Sequence, residues 1–423
     1  MSDKKPPRNV LRRLTASLTD LSQRHRERHR ATGFGFVFAD RIDYLDPERW
    51  DAVAAHGSLF LRREILRVIE NHGPANIQPR YAMVFRDQTP VAAVAAQVVT
   101  VWGESLGGGR AAASARRPSN LLRRAFAPVA GRASKGLRER MLVAGNLLSW
   151  GFHGIAFAPG EAPAQLWPGV MEALYRIRRA ERLAGQTDFV MVKDLTAQQT
   201  GLEVLRRFSY RPLETEPNMV LEISPAWGTY DDYLAALDAK YRRNAKEQIK
   251  KFAAAGCVIE PLAELPPLAT RLHELYDAVH SNASVRLVTL PVTYLPELAI
   301  AAGENFRCTV ARRGQEILGF VTSVRDGDTA IAYYIGFDRA AAADGLPLYL
   351  RLLHTTIADA IAWRCRRLSL GRTALEPKAA LGAKPEAMSV WLRHRVPALN
   401  WVLRGLLGAV PHAEAPERNP FKA

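Results

Sequence analysis

The stretch Leu368-Ser-Leu-Gly-Arg-Thr-Ala-Leu-Glu-Pro-Lys-Ala-Ala-Leu-Gly382 decides how the chain is interpreted. Its pattern predicts a short strand at 367–370 and, after a glycine and an arginine, a short helix at 377–381 that carries a lysine. Upstream, Ile331-Ala-Tyr-Tyr-Ile-Gly-Phe337 predicts a buried strand, and Pro347 opens a helix with leucine and isoleucine at helical spacing. The order is therefore strand, helix, strand and short helix.

Working outward, the same order of elements occurs twice. In the second half, Thr229 and Asp232 form a capping pair at the start of a helix predicted to run to 255, and three strands joined by tight turns follow. In the first half, a helix, antiparallel strands, a helix opened by Pro168, a strand, a short helix and a final strand are predicted. Leu166-Trp167-Pro168 and Gly345-Leu346-Pro347 hold equivalent places. The sequence predicts a mixed α/β (α+β) protein with two tandem domains.

Charge is concentrated in two segments of this 423-residue chain, whose formal charge is +16. Residues 1–30 hold nine Lys/Arg and three Asp/Glu (net +6), and residues 105–140 hold nine Lys/Arg and one Glu (net +8). We therefore divide the chain into a basic tail (1–33), a first domain (34–224) with a basic insertion (105–140), and a second domain (225–423). The remainder is almost neutral, which argues against a uniformly basic nucleic-acid-binding fold.

Other features narrow the class of protein. The 3 cysteines lie far apart and predict buried reduced thiols, and no metal site is predicted. The N-terminus lacks the apolar segment of a secretory signal, and the apolar stretch 90–102 is too short to span a bilayer. The sequence thus predicts a cytoplasmic protein. Its basic tail, residues 118–128 and the segment around Trp401 combine apolar and basic residues, which favours peripheral contact with an anionic inner membrane surface.

The second half resembles the acetyltransferase-like domain of the GNAT superfamily, in its FemAB-like branch. The resemblance rests on Tyr230–Arg243, Ile331–Phe337, Leu348-Tyr-Leu350 and the stretch 368–382. It implies two tandem GNAT-like domains, each a mixed twisted sheet flanked by helices. It also implies two parallel strands that part beside a helix, with an acyl thioester along the gap and an amine entering from the other side. The implied activity is transfer of an acyl group to an amine, with the reaction centre in the second half.

The resemblance and the placement of polar residues give the candidate site. Lys378, which could neutralise a phosphate or an oxyanion, Tyr334 and Glu376, the nearest carboxylate and candidate base, are the predicted catalytic residues. Because side chains alternate along a strand, Tyr333 and Tyr334 are expected to face opposite sides. The predicted substrate-binding residues are Arg372, Tyr333, Arg242, Arg243 and Arg286. Gly345, Leu346 and Leu348, at the start of the helix opened by Pro347, are predicted to contact coenzyme A.

Three interpretations of the function remain open. Acyl-coenzyme A is the first donor considered, with a small-molecule or lipid-linked amine as acceptor. However, Arg339-Ala-Ala-Ala-Ala-Asp-Gly345 stands where the superfamily has a glycine-rich phosphate loop. Some FemAB-like proteins use aminoacyl-tRNA to build cell-wall peptides, so charged tRNA is the alternative donor. Against it, Phe126 is the only aromatic residue between 105 and 140, so the basic insertion offers little for nucleic-acid bases to stack on. The third interpretation is a non-catalytic binding protein that keeps the fold.

Overall fold

A computed structural model describes residues 30–102, 138–281, 286–396, 416 and 418–422. Most of the basic tail 1–33, most of the insertion 105–140 and the helix predicted for 396–410 lie outside these residues. The described residues form α-helices α1 to α11, in chain order Pro47–Ala54, Arg63–His72, Pro163–Ala180, Glu203–Arg207, Tyr230–Ala236, Ala239–Ala254, Ala269–His280, Tyr294–Ala302, Arg339–Ala343, Leu348–Ala362 and Leu375–Ala380. Short 3-10 helices lie at Ile42–Tyr44, Leu59–Leu61, Glu181–Leu183, Pro266–Leu268 and Gly303–Asn305.

Strands β1 to β15 form two sheets. In chain order they are Gly35–Ala39, Ile77–Arg86, Thr89–Trp102, Arg138–Ala144, Ile155–Phe157, Phe189–Leu195, Arg211–Glu214, Asn218–Glu222, Cys257–Pro261, Phe306–Arg313, Glu316–Asp326, Thr329–Phe337, Arg367–Ser369, Lys384–Glu386 and Ser389–His394. The first sheet has the order β1-β2-β3-β4-β6-β15-β7, with β5 beside β3, and the second has the order β14-β8-β13-β12-β11-β10-β9. Both sheets are mixed and flanked by helices, which confirms the predicted fold class.

Each sheet contains one parallel pair of neighbouring strands. In the first sheet β4 runs parallel to β6, with Met141 opposite Phe189 and Ala144 opposite Val192. In the second sheet β12 runs parallel to β13, with Thr329 opposite Arg367 and Ile331 opposite Ser369. Beyond Ile331, β12 continues to Phe337 without this partner, so the two strands part. The crossover between β12 and β13 is made by α9 and α10, as a parallel connection requires.

The two halves exchange their last strands. The strand β15 lies between β6 and β7 in the first sheet, whereas β8 lies between β13 and β14 in the second. One cluster of buried apolar side chains also includes residues of both halves, among them Trp50, Phe60, Phe320 and Tyr333. The predicted boundary between 224 and 225 stays a prediction, but each sheet takes a strand from across it.

Two predicted helices differ in the structure. Pro168 does not open α3, because the helix begins at Pro163, whose missing N–H would be unpaired in the first turn anyway. Pro168 lies inside that helix, so its predicted equivalence with Pro347 is wrong. The single helix predicted to run to 255 is interrupted after α5, where Leu237 is extended. There the Asp238 N–H donates to Pro420 O at 2.8 Å, so the C-terminal segment docks at the break.

Candidate functional site

The candidate site lies at the carboxyl ends of β12 and β13, where the parallel strands part. Ligands gather at such strand ends in α/β sheets because loops and helix starts converge there. After β13, the turn is held by Asn218 Oδ1, which accepts hydrogen bonds from Ser369 Oγ and from the Gly371 N–H, both at 3.0 Å. Gly371 has a φ of +79°. The turn leads directly to Arg372 and then to α11, which carries Lys378.

A β-bulge in β12 places both tyrosines in one cluster. Val321 is opposite Ile335 and Ser323 is opposite Ala332, so Thr322 faces two residues, Tyr333 and Tyr334. The Tyr334 N–H donates to Thr322 Oγ1 at 2.9 Å. The two tyrosine rings pack edge to face with centroids 4.6 Å apart. The expectation that they face opposite sides is therefore wrong, because the extra residue of a bulge breaks the alternation.

Both tyrosine hydroxyls are engaged within the protein. Tyr334 Oη donates to Leu148 O at 3.0 Å, and Tyr333 Oη lies 2.8 Å from Tyr294 Oη. Burial raises the pKa of both hydroxyls well above the ordinary tyrosine value. Tyr334 thus joins the second half to the loop after β4 of the first. A catalytic role for Tyr334 and a substrate-binding role for Tyr333 stay predictions.

Arg372 makes an ion pair across the two halves. Its guanidinium binds Asp194 at the end of β6, which also pairs with Lys193 and accepts a 3.0 Å hydrogen bond from the Gly151 N–H. Asp194 is 0% exposed. Burial alone would raise the pKa of Asp194, but Lys193 and Arg372 hold it below its ordinary value. The predicted substrate-binding arginine therefore already has a buried carboxylate partner.

Lys378 has the unusual electrostatics of a candidate catalytic group. Its side chain is 3% exposed although it belongs to a short helix near the surface. Burial lowers the pKa of Lys378 from 10.5 to about 7, and the negative charge of Glu216 opposes that shift. A buried lysine with this pKa exchanges a proton near neutral pH, which is what general acid–base catalysis requires. Perturbed groups of this kind cluster at functional sites.

Sequence reasoning missed three residues that complete this region. Glu216, between β7 and β8, feels the positive charges of Arg372 and Lys378, so it lies near both. The indole of Trp150 lies so close to Gly371 that a Cβ there would be 3.1 Å from it. Asp194 is the third. Each is far from 371–378 in sequence, and no local motif marks them.

Two buried donors beside Gly371 make no hydrogen bond to any described residue. They are Trp150 Nε1 and Arg372 Nε. Buried N–H groups nearly always have partners, so two unpartnered donors in one place are unusual. Unpartnered N–H donors are the kind of group that binds an oxyanion.

Glu376 lies apart from this cluster. Its carboxylate is 54% exposed and pairs with Arg418 of the C-terminal segment. It lines a cavity of about 200 Å³ between α6, α10 and α11. At its wall, His354 is buried and its Nδ1 lies 2.8 Å from Tyr230 Oη. Although Glu376 and Lys378 share α11, one faces solvent and the other is buried.

The remaining predicted arginines do not converge on Lys378 through any described contact. Arg242 donates to Leu237 O at 2.7 Å and so satisfies a carbonyl at the end of α5. Arg243 is 77% exposed and pairs with Glu247 one turn along α6. Arg286 is exposed and, with burial, lowers the pKa of His280. Their binding roles stay predictions.

Gly345, Leu346 and Leu348 precede or begin α10, as predicted, but the local backbone is not arranged as a phosphate cradle. The N–H groups of Ala341, Ala342, Gly345, Leu346 and Leu348 all donate within the chain. The adjoining cavity of about 360 Å³ is lined by Lys251 and Arg313 but also by Glu316, Asp338 and Asp344. Carboxylates and engaged N–H groups do not suit a pyrophosphate. Contact of these residues with coenzyme A stays a prediction.

Two further features concern metal binding and membrane insertion. No group of three or more His, Cys, Asp and Glu side chains there is placed to hold a metal ion. No helix in the part of the chain that the structure describes has both the length and the apolar character to cross a membrane. All three cysteines are free and buried, as predicted.

The segment that contains α6, β12, α10 and Lys378 matches a known family. Residues 239–379 match the family model described as the acetyltransferase (GNAT) domain. This segment is a GNAT domain. The match confirms the superfamily predicted for the second half and supports the prediction of an N-acyltransferase. The GNAT domain includes Arg372, Glu376 and Lys378 but ends before β14 and β15.

Solved structures of similar shape were also found. One is FemX (9% identity, 82% of this chain and 96% of that chain, TM-score 0.48). Another is a tandem GNAT protein from the clavulanic acid biosynthesis pathway (12%, 86% and 99%, TM-score 0.48). A third is the C-terminal domain of a putative lysylphosphatidylglycerol synthetase from Agrobacterium fabrum (11%, 84% and 94%, TM-score 0.46). Because all three TM-scores are below 0.5, we draw no functional argument from them. No curated protein matches the sequence.

Proposed function

We propose that the GNAT domain transfers an acyl group from an activated donor to an amine, with Lys378 as the general base. The observation that carries this proposal is the buried Lys378, with a pKa of about 7, at the place where β12 and β13 part. An attacking amine must be neutral and must lose a proton as the new bond forms. A lysine with this pKa is about half neutral at pH 7 and mostly neutral at pH 8, so it can accept that proton.

The reaction is a direct displacement at the acyl carbonyl. The amine nitrogen attacks the carbonyl carbon, the new C–N bond forms, the bond to the leaving group breaks, and the proton from the amine goes to Lys378 Nζ. The tetrahedral intermediate carries an oxyanion. Trp150 Nε1 and Arg372 Nε are the buried donors beside Gly371 with no partner among the described residues, so we assign them to that oxyanion.

Acyl-coenzyme A is the donor that the superfamily implies, but one observation favours aminoacyl-tRNA as a second candidate. Asp338 Oδ1 accepts the Ala341 N–H at 2.9 Å and caps α9, so the segment that would form a phosphate loop is a short helix. Coenzyme A would need its pyrophosphate bound at that loop. Aminoacyl-tRNA carries no pyrophosphate, so it fits this backbone better than coenzyme A does. The acceptor is an amine, either a small molecule or a lipid-linked one.

The test combines donor binding with turnover. Native mass spectrometry of the full chain with acetyl-coenzyme A, palmitoyl-coenzyme A and a charged tRNA mixture identifies the donor, and acyl transfer to a panel of amines is then measured. We expect Lys378→Met to lower kcat at least 100-fold while the mass spectrum still shows bound donor. Lys384→Met, at an exposed lysine, is the matched control and keeps its activity.

The pH profile distinguishes the base from other roles of Lys378. A base works when it is neutral, so kcat/KM rises as pH increases toward about 7 and then levels off. If Lys378 instead served as a cation for the oxyanion, activity would fall as pH rises through 7. Full activity of Lys378→Met would overturn the catalytic assignment and leave the non-catalytic binding protein as the better interpretation.

A further inference from the structure

We propose that one end of the first sheet docks on an anionic lipid bilayer. We call this surface the arginine end; it consists of Arg41, Tyr44, Arg178, Arg179, Arg182 and Leu183. It lies at the opposite end of the first sheet from Asp194, so it is separate from the site around Lys378. The proposal does not depend on the acyltransferase assignment.

The arginine end combines exposed apolar side chains with cations. Leu183 is 99% exposed and Tyr44 is 72% exposed. An open cavity of about 670 Å³ lies between helix α3 and the segment that contains β1 and Tyr44. It is lined by Phe38 and Tyr44 from that segment and by Arg176 and Arg179 of α3. Apolar side chains that enter the interface, surrounded by cations that meet lipid phosphates, are the features of a peripheral membrane surface.

The positive charge at this end is not neutralised by neighbouring acids. Arg179 and Arg182 form no ion pair with a described carboxylate. Arg41 forms none either, but with Arg67 and Arg63 it lies near enough to Asp43 to lower the pKa of that carboxyl. Arg178 lies over the Tyr175 ring and near the like charge of Arg393. The nearby carboxylates are engaged elsewhere, in pairs of Glu181 with Arg80 and Arg140, Asp188 with Arg395, and Asp43 with Arg67. Asp40 is the one nearby carboxylate for which the described residues give no ion pair. The four arginines of this end outnumber it, so the arginine end is cationic.

Two further segments leave the described fold at the same end. β3 ends at Trp102, β4 begins at Arg138, and β15 ends at His394 opposite Phe189, all on this side of the sheet. Residues 103–137 carry seven Lys/Arg and one Glu, a net charge of +6. Residues 397–415 include the apolar residues Trp401, Leu403, Leu406 and Leu407. Both segments are therefore joined in sequence to strand ends on this side of the first sheet.

Another basic surface among the described residues, that of helix α6, lacks this combination. Helix α6 presents Lys240, Lys246 and Lys250 to solvent. None of the large apolar side chains that are exposed in the described residues belongs to α6. It therefore offers charge without an apolar anchor, which makes it the internal control.

The experiment is flotation of the full chain with vesicles of phosphatidylcholine, with and without about 30% phosphatidylglycerol, at about 0.1 M NaCl. We expect binding only to the anionic vesicles. The triple variant Arg178→Gln, Arg179→Gln, Arg182→Gln should lower the partition coefficient roughly 100-fold, since each cation at an anionic surface contributes on the order of tenfold or slightly less. Leu183→Gln should weaken binding several-fold at both low and high salt, because the apolar contact it removes is not screened by salt.

The control triple variant Lys240→Gln, Lys246→Gln, Lys250→Gln removes the same charge from α6 and should change binding less than about threefold. Circular dichroism verifies that both variants are folded. Absence of vesicle binding, equal binding to neutral vesicles, equal loss in the two triple variants, or retention by RNA alone would each overturn the proposal.

Discussion

Lys378 combines an ordinary residue type with an environment that removes most of its hydration. At an exposed position a lysine stays charged to pH 10, but the burial of this one lowers its pKa to about 7. The stretch 368–382 predicts the position of Lys378 just past a strand end. Its pKa could not be predicted, because it depends on burial in the folded chain and on the charge of Glu216, more than 160 positions away in the sequence. The same holds for Arg372, whose partner Asp194 is 178 positions away.

The first prediction concerns stability. The folded state holds Lys378 at a pKa of about 7, whereas the unfolded chain has the ordinary 10.5. Between these values the unfolded state binds more protons, so this residue makes the free energy of unfolding rise with pH from 7 to 10.5. Below pH 7 the buried charge is fully destabilising. Lys378→Met should therefore be more stable than the parent by a few kcal/mol at pH 6 and equal to it near pH 10.5.

Urea unfolding of the two proteins at pH 6, 8 and 10 measures this difference. Lys384→Met, at an exposed position, should stay within about 0.5 kcal/mol of the parent at each pH. A Lys378→Met effect that does not depend on pH would mean that Lys378 is not the titrating group.

At the scale of elements, the bulge in β12 determines which side chains meet at the site. The strand, its turn and its partner strands were predictable from apolar alternation and the turn residues Arg313-Gly314 and Asp326-Gly327. The bulge was not, because an extra residue opposite Thr322 leaves no mark in the pattern of apolar residues. Likewise, the break between α5 and α6 depends on Pro420 and Phe421, far along the chain.

The second prediction follows from the bonding of the bulge. Thr322 is 0% exposed, and its hydroxyl accepts the Tyr334 N–H at 2.9 Å. Thr322→Val keeps the shape of the side chain but leaves that buried N–H without a partner, which costs about 1–3 kcal/mol. Chemical denaturation measures the loss. Thr309→Val on neighbouring β10, where the described residues give the hydroxyl no hydrogen bond, should change stability far less.

Gly371 provides a third prediction, at the turn that joins β13 to α11. Its φ of +79° is the left-handed region, and a Cβ would lie 3.1 Å from the Trp150 indole. Gly371→Ala therefore adds backbone strain of about 1–3 kcal/mol and displaces the indole from its place beside Arg372. We expect lower thermal stability together with a changed tryptophan emission. Gly327 also has a positive φ, but a Cβ there would meet no atom within 4 Å. Gly327→Ala is therefore the control that adds backbone strain without displacing a neighbouring side chain.

At the scale of the whole molecule, the two halves are interlocked rather than merely linked. The repeat of element order predicted two sheets, and the pattern of apolar residues predicted most of their strands. The predicted boundary at 224/225 places β8 with the first domain and β15 with the second, but each of these strands lies in the sheet of the other half. A strand's own sequence does not specify which sheet it joins when both sheets bury apolar faces. The exchange and the shared apolar cluster mean that neither half can unfold without exposing the core of the other.

The last prediction tests this interlocking through Asp194. Its carboxylate pairs with Lys193 of the first half and Arg372 of the second. Asp194→Asn keeps a residue that tolerates the φ of +57° but removes the buried negative charge, so the partly buried Lys193 and Arg372 lose their common partner. We expect a loss of about 3–5 kcal/mol, whereas Glu247→Gln at an exposed pair should cost under about 1 kcal/mol. Since the halves share strands, circular dichroism and tryptophan fluorescence should shift together as one transition. Two separated transitions in the Asp194→Asn variant would mean that the halves unfold independently and that the ion pair does not couple them.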